Sequence, residues 1–236
     1  FGFVYSIYSV IVFLEIWFKY RGEFIEHYHS ANPVAKAIYY VLLLGATLRN
    51  EETDRIDNKA VRILAAIGIP VACILHGYVG FLFGSIKANP WWSTPLMFII
   101  FIFSAIVSGV AVLIFLYQFV TWRGKRKMDQ VTLDTMARLL WGFMIVAVVL
   151  ELMDVLSLAY EQTEKWAILK DLIMKHLWYT YVVVQIFICS LGAFLLLSIV
   201  VLLRLPRRLS NTLIFVASIL LLLQVLSLVR FSSRPA

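Results

Sequence analysis

Residues Pro95 to Trp122, PLMFIIFIFSAIVSGVAVLIFLYQFVTW, contain no charged side chain. Wound as a helix at ~1.5 Å per residue, such a run is longer than the ~30 Å hydrocarbon core of a bilayer. Working outward, segments 1–18, 61–86, 137–160, 177–203 and 211–229 have the same character, giving six expected spans. The whole chain agrees. It is 62% hydrophobic and 15% charged, with a mean hydropathy of +0.88, against about 25% charged for a soluble domain. A water-soluble fold of this size cannot hide so much apolar surface. The expected fold is an all-α, polytopic transmembrane helix bundle, with 1–236 forming one transmembrane domain.

One apolar stretch falls short of a span. Residues 34–48 are interrupted by Lys36 and Gly45 and read as a short interfacial helix within a loop covering 19–60. A short tilted span is the alternative, and it would reverse the side on which Phe1 starts. The chain opens on Phe1, is apolar at once, and shows neither a basic n-region nor an A-x-A cleavage site. Its first segment is therefore expected to be a true helix, and the sequence to be part of a longer chain.

The basic residues set the expected orientation. Fourteen Lys and Arg fall in 19–62, 123–127 and 204–208, against six in the connections on the opposite side and at the C-terminal end. By the positive-inside rule, loops 19–60, 123–131 and 204–210 are cytoplasmic and Phe1 starts outside. Aromatic residues gather at the same boundaries: Trp17, Phe18 and Tyr20 on one side, Trp91 and Trp92 on the other, and Trp122 at the end of the third span. The net charge of +7 is thus a topology signal, and no nucleic-acid partner is expected.

Metal centres are not expected in this chain. Cys73 and Cys189 each stand alone in an apolar run, with no C-x-x-C pair to hold iron–sulfur or zinc. Of four histidines, His27 and His29 fall in the long loop and His176 at a span mouth. Only His76 lies deep, so a bis-histidine haem is not expected either.

Ionisable groups inside spans cost ~2.5–3.5 kcal/mol each and are the functional candidates. His76 stands in Leu75-His76-Gly77-Tyr78-Val79-Gly80, ~15 Å inside the membrane boundary. Its imidazole can donate to a quinone carbonyl and titrates near neutrality; a packing histidine bonded to a neighbouring helix is the plainer reading. Gly77, Gly80 and Gly84 share a helical face that another helix or a flat ligand can approach closely.

On the fourth span Glu151 and Asp154 are one turn apart. Two carboxylates this close resist ionising together, which suits proton exchange, although headgroup water could simply solvate them. Asp134 and Arg138, one turn apart at the opposite end, read as a pair. Ser104 and Ser108 suit helix packing or a polar proton route, and Glu15 in the first span either snorkels or joins a path.

Gly68-Ile69-Pro70, then His76 through Phe81, then Lys87-Ala88-Asn89-Pro90-Trp91-Trp92-Ser93-Thr94-Pro95-Leu96, together with Ser104 to Gly109, Arg138 and Glu151-Leu152-Met153-Asp154, resemble the NrfD/PsrC-like membrane subunits. The likeness is closest to the branch with HybB-like and DsrP-like subunits and those of alternative complex III, and its motifs cover about 60–160. The resemblance implies two four-helix bundles with additional helices in a prokaryotic cytoplasmic membrane. It also implies a haem-free subunit that binds menaquinone or ubiquinone, and a ferredoxin-like iron–sulfur subunit among the partners in a respiratory complex.

On that resemblance His76 faces the quinone, with Gly77, Tyr78, Gly80, Trp91 and Trp92 around it. Glu151 and Asp154 handle protons on the outer side, and Asp134, Arg138, Ser104, Ser108 and Glu15 are path candidates. The rival readings are a proton or ion transporter without redox chemistry of its own, and a structural anchor for an extrinsic complex.

Overall fold

The computed structural model describes residues 2–30, 32–45, 47–86, 93–125, 127–162, 164–203 and 205–232; Trp91 and Trp92 lie outside them, as does the side chain of His176. The described residues are almost entirely helical: α1 (Gly2–Ser30), α2 (Pro33–Leu42), α3 (Glu51–Ser85), α4 (Met97–Arg123), α5 (Gln130–Glu161), α6 (Glu164–Leu172), a π-wound stretch (Ile173–Leu191) that continues directly into α7 (Gly192–Leu202), and α8 (Arg207–Ser232). Six of these helical runs are long and apolar enough to cross a membrane. The protein is a multi-pass helical membrane protein.

The helices outrun the apolar spans. α1 continues to Ser30 and α3 begins at Glu51, so most of 19–60 is helical, not loop. Charge does not stop a helix once it has left the bilayer; the bilayer limits only which residues are apolar. The interfacial helix is shorter than the expected 34–48. Pro33 opens it, where a missing N–H costs nothing. It ends at Leu42, and the chain then turns through positive φ at Leu44 and Gly45 (51° and 79°), a conformation glycine takes without strain. Val34, Ile38 and Val41 leave an exposed apolar stripe along it.

The chain packs as two compact units, Phe1–Val79 and Gly80–Ala236. In the first, the Trp17 indole N–H donates to the Leu42 carbonyl at 2.7 Å, and Arg21 Nη1 donates to Asp57 Oδ1 at 2.9 Å. The Arg21 guanidinium also lies over the Trp17 ring. Arg49 bridges Glu26 on α1 and Asp54 on α3. These polar ties join α1, α2 and α3 beyond the apolar spans.

The second unit contains a four-helix bundle. α4 packs against α5 and α8, and α7 against α5 and α8. Its core draws Val107, Ala111 and Ile114 from α4, Leu133, Ala137, Leu140 and Met144 from α5, Ala193 and Leu197 from α7, and Ile214, Ala217 and Leu221 from α8. Each helix thus gives one alanine that is essentially sealed. Lipid supplies no hydrophobic drive between helices, so small residues that permit close approach hold such a bundle. Ties across it are the Trp141 indole to Ser198 Oγ at 2.9 Å and Gln118 Nε2 to the Asn211 carbonyl at 3.2 Å.

The end of α3 meets the start of α4 at backbone distance along Gly80 and Gly84, with the Phe83 ring stacked on that of Phe101 beside them. A Cβ on Gly80 would stand 2.6 Å from the Met97 carbonyl oxygen, and one on Gly84 would stand 2.7 Å from that of Thr94. Of the two occupants the sequence allowed for this glycine face, the one present at Gly80 and Gly84 is the chain's own backbone.

Candidate functional site

The bundle's core does not fill its length. On α5 the buried stripe Leu133, Ala137, Leu140, Met144 advances by three and four residues, and the same steps lead to Ala147, Glu151 and Asp154. One helical face is therefore apolar through half the bundle and acidic beyond it. The neighbouring helices change in step. The core stripe of α4 carries Ser104 and Ser108 toward that end, that of α8 reaches Gln224, and Ser190 precedes the α7 core residues.

These side chains line one cleft. Ser104, Ser108, Glu151, Ser190 and Gln224 form its polar walls, while Val107, Met144 and Leu221 of the core close its floor. Its volume is about 40 Å³, room for roughly three waters at ~10–15 Å³ each and well below the ~300 Å³ of a small-molecule pocket. Water and protons fit there; a quinone ring does not. The second carboxylate is held beside it. The Thr94 side chain lies close enough to the Asp154 carboxylate to favour its ionised form, and Tyr181, on the π-wound stretch, stands within electrostatic reach of both acids.

Sequence reasoning named Ser104, Ser108, Glu151 and Asp154, and the fold brings all four to this end of the bundle. It missed Thr94, Tyr181, Ser190 and Gln224. The signal for Gln224 and Ser190 was in the pattern: each continues the core stripe of its own helix. Asp134 and Arg138 lie at the opposite end of α5, both exposed, and among the described residues they form no ion pair with each other. That corrects the expected pairing. One turn of spacing permits a contact between exposed side chains, but water competes for both charges. Glu15 is half-buried on α1.

His76, Tyr78 and Gly77 belong to the first unit. Gly77 is buried, and His76 and Tyr78 are exposed on α3. His76 Nδ1 lies 2.9 Å from the carbonyl oxygen of Ala72, one turn earlier. A carbonyl only accepts, so Nδ1 must carry the hydrogen. In the neutral ring Nε2 is then an acceptor. The helix backbone thus fixes both the tautomer and the direction of the ring.

A family model described as "Polysulphide reductase, NrfD" matches residues 2–232. Among curated proteins, a selenate reductase subunit of Mesobacillus selenatarsenatis is 34% identical over 157 residues, which cover 64% of this chain and 36% of that protein. The chain therefore spans little more than a third of the length of the curated relative it matches.

Proposed function

The chain belongs to the NrfD polysulphide reductase family, and from that premise we propose that it is the quinone-reactive membrane subunit of a multisubunit oxidoreductase. The family and the subunit-named relative make it a membrane subunit of a reductase complex. The finer reading is that it binds menaquinone or ubiquinone, exchanges electrons with an iron–sulfur partner subunit and manages the accompanying protons. It would sit in a prokaryotic cytoplasmic membrane, with 19–60, 123–131 and 204–210 on the cytoplasmic side.

The observation that carries this reading is the water-sized cleft in which Glu151 meets Ser104, Ser108, Ser190 and Gln224. Glu151 continues the line of the core stripe but is itself exposed, and Asp154 is half-buried. A structural anchor has no use for two carboxylates within a membrane span, where each costs ~2.5–3.5 kcal/mol to insert. A bound quinol supplies two electrons and two protons, and a subunit that receives it needs a titratable exit. Glu151 and Asp154 offer that exit, with Thr94 and Tyr181 nearby.

Among the described residues, those around His76 fit a quinone head better than the glycine face or the Glu151 cleft. The glycine face is filled by backbone at Gly80 and Gly84, and the Glu151 cleft is too small for a ring. His76, held by Ala72, offers Nε2 as acceptor when neutral, matching a quinol hydroxyl, and as donor when protonated, matching a quinone carbonyl. The apolar floor of the cleft, Val107, Met144 and Leu221, also favours local proton release over a continuous channel within this bundle.

The test is quinol-analogue oxidation by the purified complex, wild type against His76→Ala, with bound quinone quantified in each. Loss of both turnover and quinone in an intact complex is expected. Unchanged turnover and quinone content would sink the assignment. Proton transport that persists without the redox partners would favour the transporter instead.

A further inference from the structure

We propose that the cleft at the turn between α4 and α5 binds the phosphate headgroup of an anionic phospholipid. Its lining is Thr121, Trp122, Arg123, Lys125 and Met128, around about 720 Å³ of open space. Thr121 is buried and Trp122 is 76% exposed. The cleft therefore has a hydroxyl at its base, an indole at its rim and two cations across its mouth. Lys125 holds a positive φ of 49°, which folds the turn back at the helix end where Arg123 stands.

Charge is left over at this end of the bundle. Gln118 of α4 is bonded to Asn211 of α8, so Arg207 and Arg208, about one turn further along α8, reach the level of Trp122 and Arg123. Among the described residues none of Arg123, Lys125, Lys127, Arg207 and Arg208 is paired with an acid. Below the cations, Leu113, Leu116 and Val120 are all exposed. Their spacing of three and four residues continues to Arg123, so one helical stripe passes from apolar to cationic at the membrane boundary. An acyl chain along that stripe brings its phosphodiester to Arg123 and Lys125, with Trp122 at headgroup depth. A soluble acidic ligand would have no use for the apolar track.

Nanodiscs of phosphatidylcholine doped with phosphatidylglycerol, holding the purified full-length protein in its complex, provide the test. After extraction into mild detergent, the phosphatidylglycerol retained is counted by native mass spectrometry. Each cation near an anionic headgroup is worth ~1 kcal/mol, about fivefold. Arg123→Gln with Lys125→Gln should therefore lower retention roughly 25-fold, while Arg123→Lys with Lys125→Arg should keep most of it and so verify the fold. Lys170→Gln should change nothing. Equal retention in the double glutamine variant overturns the proposal. So does displacement of the lipid by inorganic phosphate, which would mark a free-phosphate site, and so does loss of a partner protein in place of lipid, which would mark a protein interface.

Discussion

A Cβ placed on Gly80 would stand 2.6 Å from the Met97 carbonyl oxygen and 2.9 Å from Cβ of Phe101. The crossing of α3 and α4 exists in this form only because residue 80 has no side chain. Backbone cannot yield as a flexible side-chain tip can, so Gly80→Ala must push the helices apart, at an overpacking cost of about 1–3 kcal/mol. Gly142 has open space where its Cβ would be, and alanine there should stabilise α5 by up to about 1 kcal/mol. Thermal melting of the purified complex should rank Gly80→Ala below wild type and Gly142→Ala at or above it. The reverse order would mean that this helix crossing is wrong.

The Arg21–Asp57 pair should behave as a buried ion pair. Asp57 is 7% exposed and the Arg21 side chain 14%. Asp57→Asn leaves a guanidinium without its counter-charge and should destabilise the first unit by about 3 kcal/mol, at the low end for such pairs because Arg21 keeps some contact with water. Replacing both, Arg21→Met with Asp57→Leu, should recover most of that loss. Limited proteolysis between α1 and α3 reads the difference; equal protection of Asp57→Asn and wild type would argue that the pair contributes nothing.

Asp129 gives a pH dependence with a definite sign. It caps α5, accepting from the Thr132 hydroxyl and the Val131 N–H, and these bonds hold its carboxyl below the usual carboxylate range. The folded state therefore prefers the ionised form. Its stabilisation is complete above the ordinary carboxylate pKa and is lost as pH falls through the lowered value. Melting curves of wild type and Asp129→Ala should differ at neutral pH and converge in acid. A gap that stays constant with pH would remove Asp129 as an ionised cap.

How much of this was legible beforehand follows from which interactions are local. Apolar runs report on the solvent, so the six spans could be read directly. Glu151, Asp154, Ser104 and Ser108 could be picked out because polar groups inside spans are rare. The meeting of Ser190 and Gln224 with Glu151 was harder to see, since it depends on which stripes of four helices face one axis. That alignment emerges only once Ala111, Ala137, Ala193 and Ala217 mark the bundle's interior. The occupant of the glycine face was also undecidable from spacing, because helix and ligand make the same demand on Gly80.

If the cleft handles protons, Glu151 must matter more than its neutral lining. Glu151→Gln keeps the shape and removes the titration, and should slow quinol-coupled turnover about 100-fold, within the range for general acid–base groups. Ser190→Ala and Gln224→Leu remove only groups that hold water near it, and should cost a few-fold through slower proton delivery. Stopped-flow recording of proton release alongside electron transfer distinguishes these effects from misfolding. Electron transfer should start normally in Glu151→Gln and stall as protons accumulate. Full-rate proton release in that variant would exclude Glu151 from the exit.

The geometry of His76 makes the last prediction directional. Nδ1 is committed to the Ala72 carbonyl at 2.9 Å, so contact with a quinone head must run through Nε2. Glutamine extends its amide to roughly the reach of Nε2, whereas asparagine stops near Nδ1. His76→Gln should therefore retain part of the quinone and of the turnover, and His76→Asn should resemble His76→Ala, losing at least about tenfold as expected for one acid–base contact. Bound quinone and quinol-analogue turnover in intact complexes of the three variants measure this order. Equal losses in His76→Gln and His76→Asn would move the quinone contact away from Nε2.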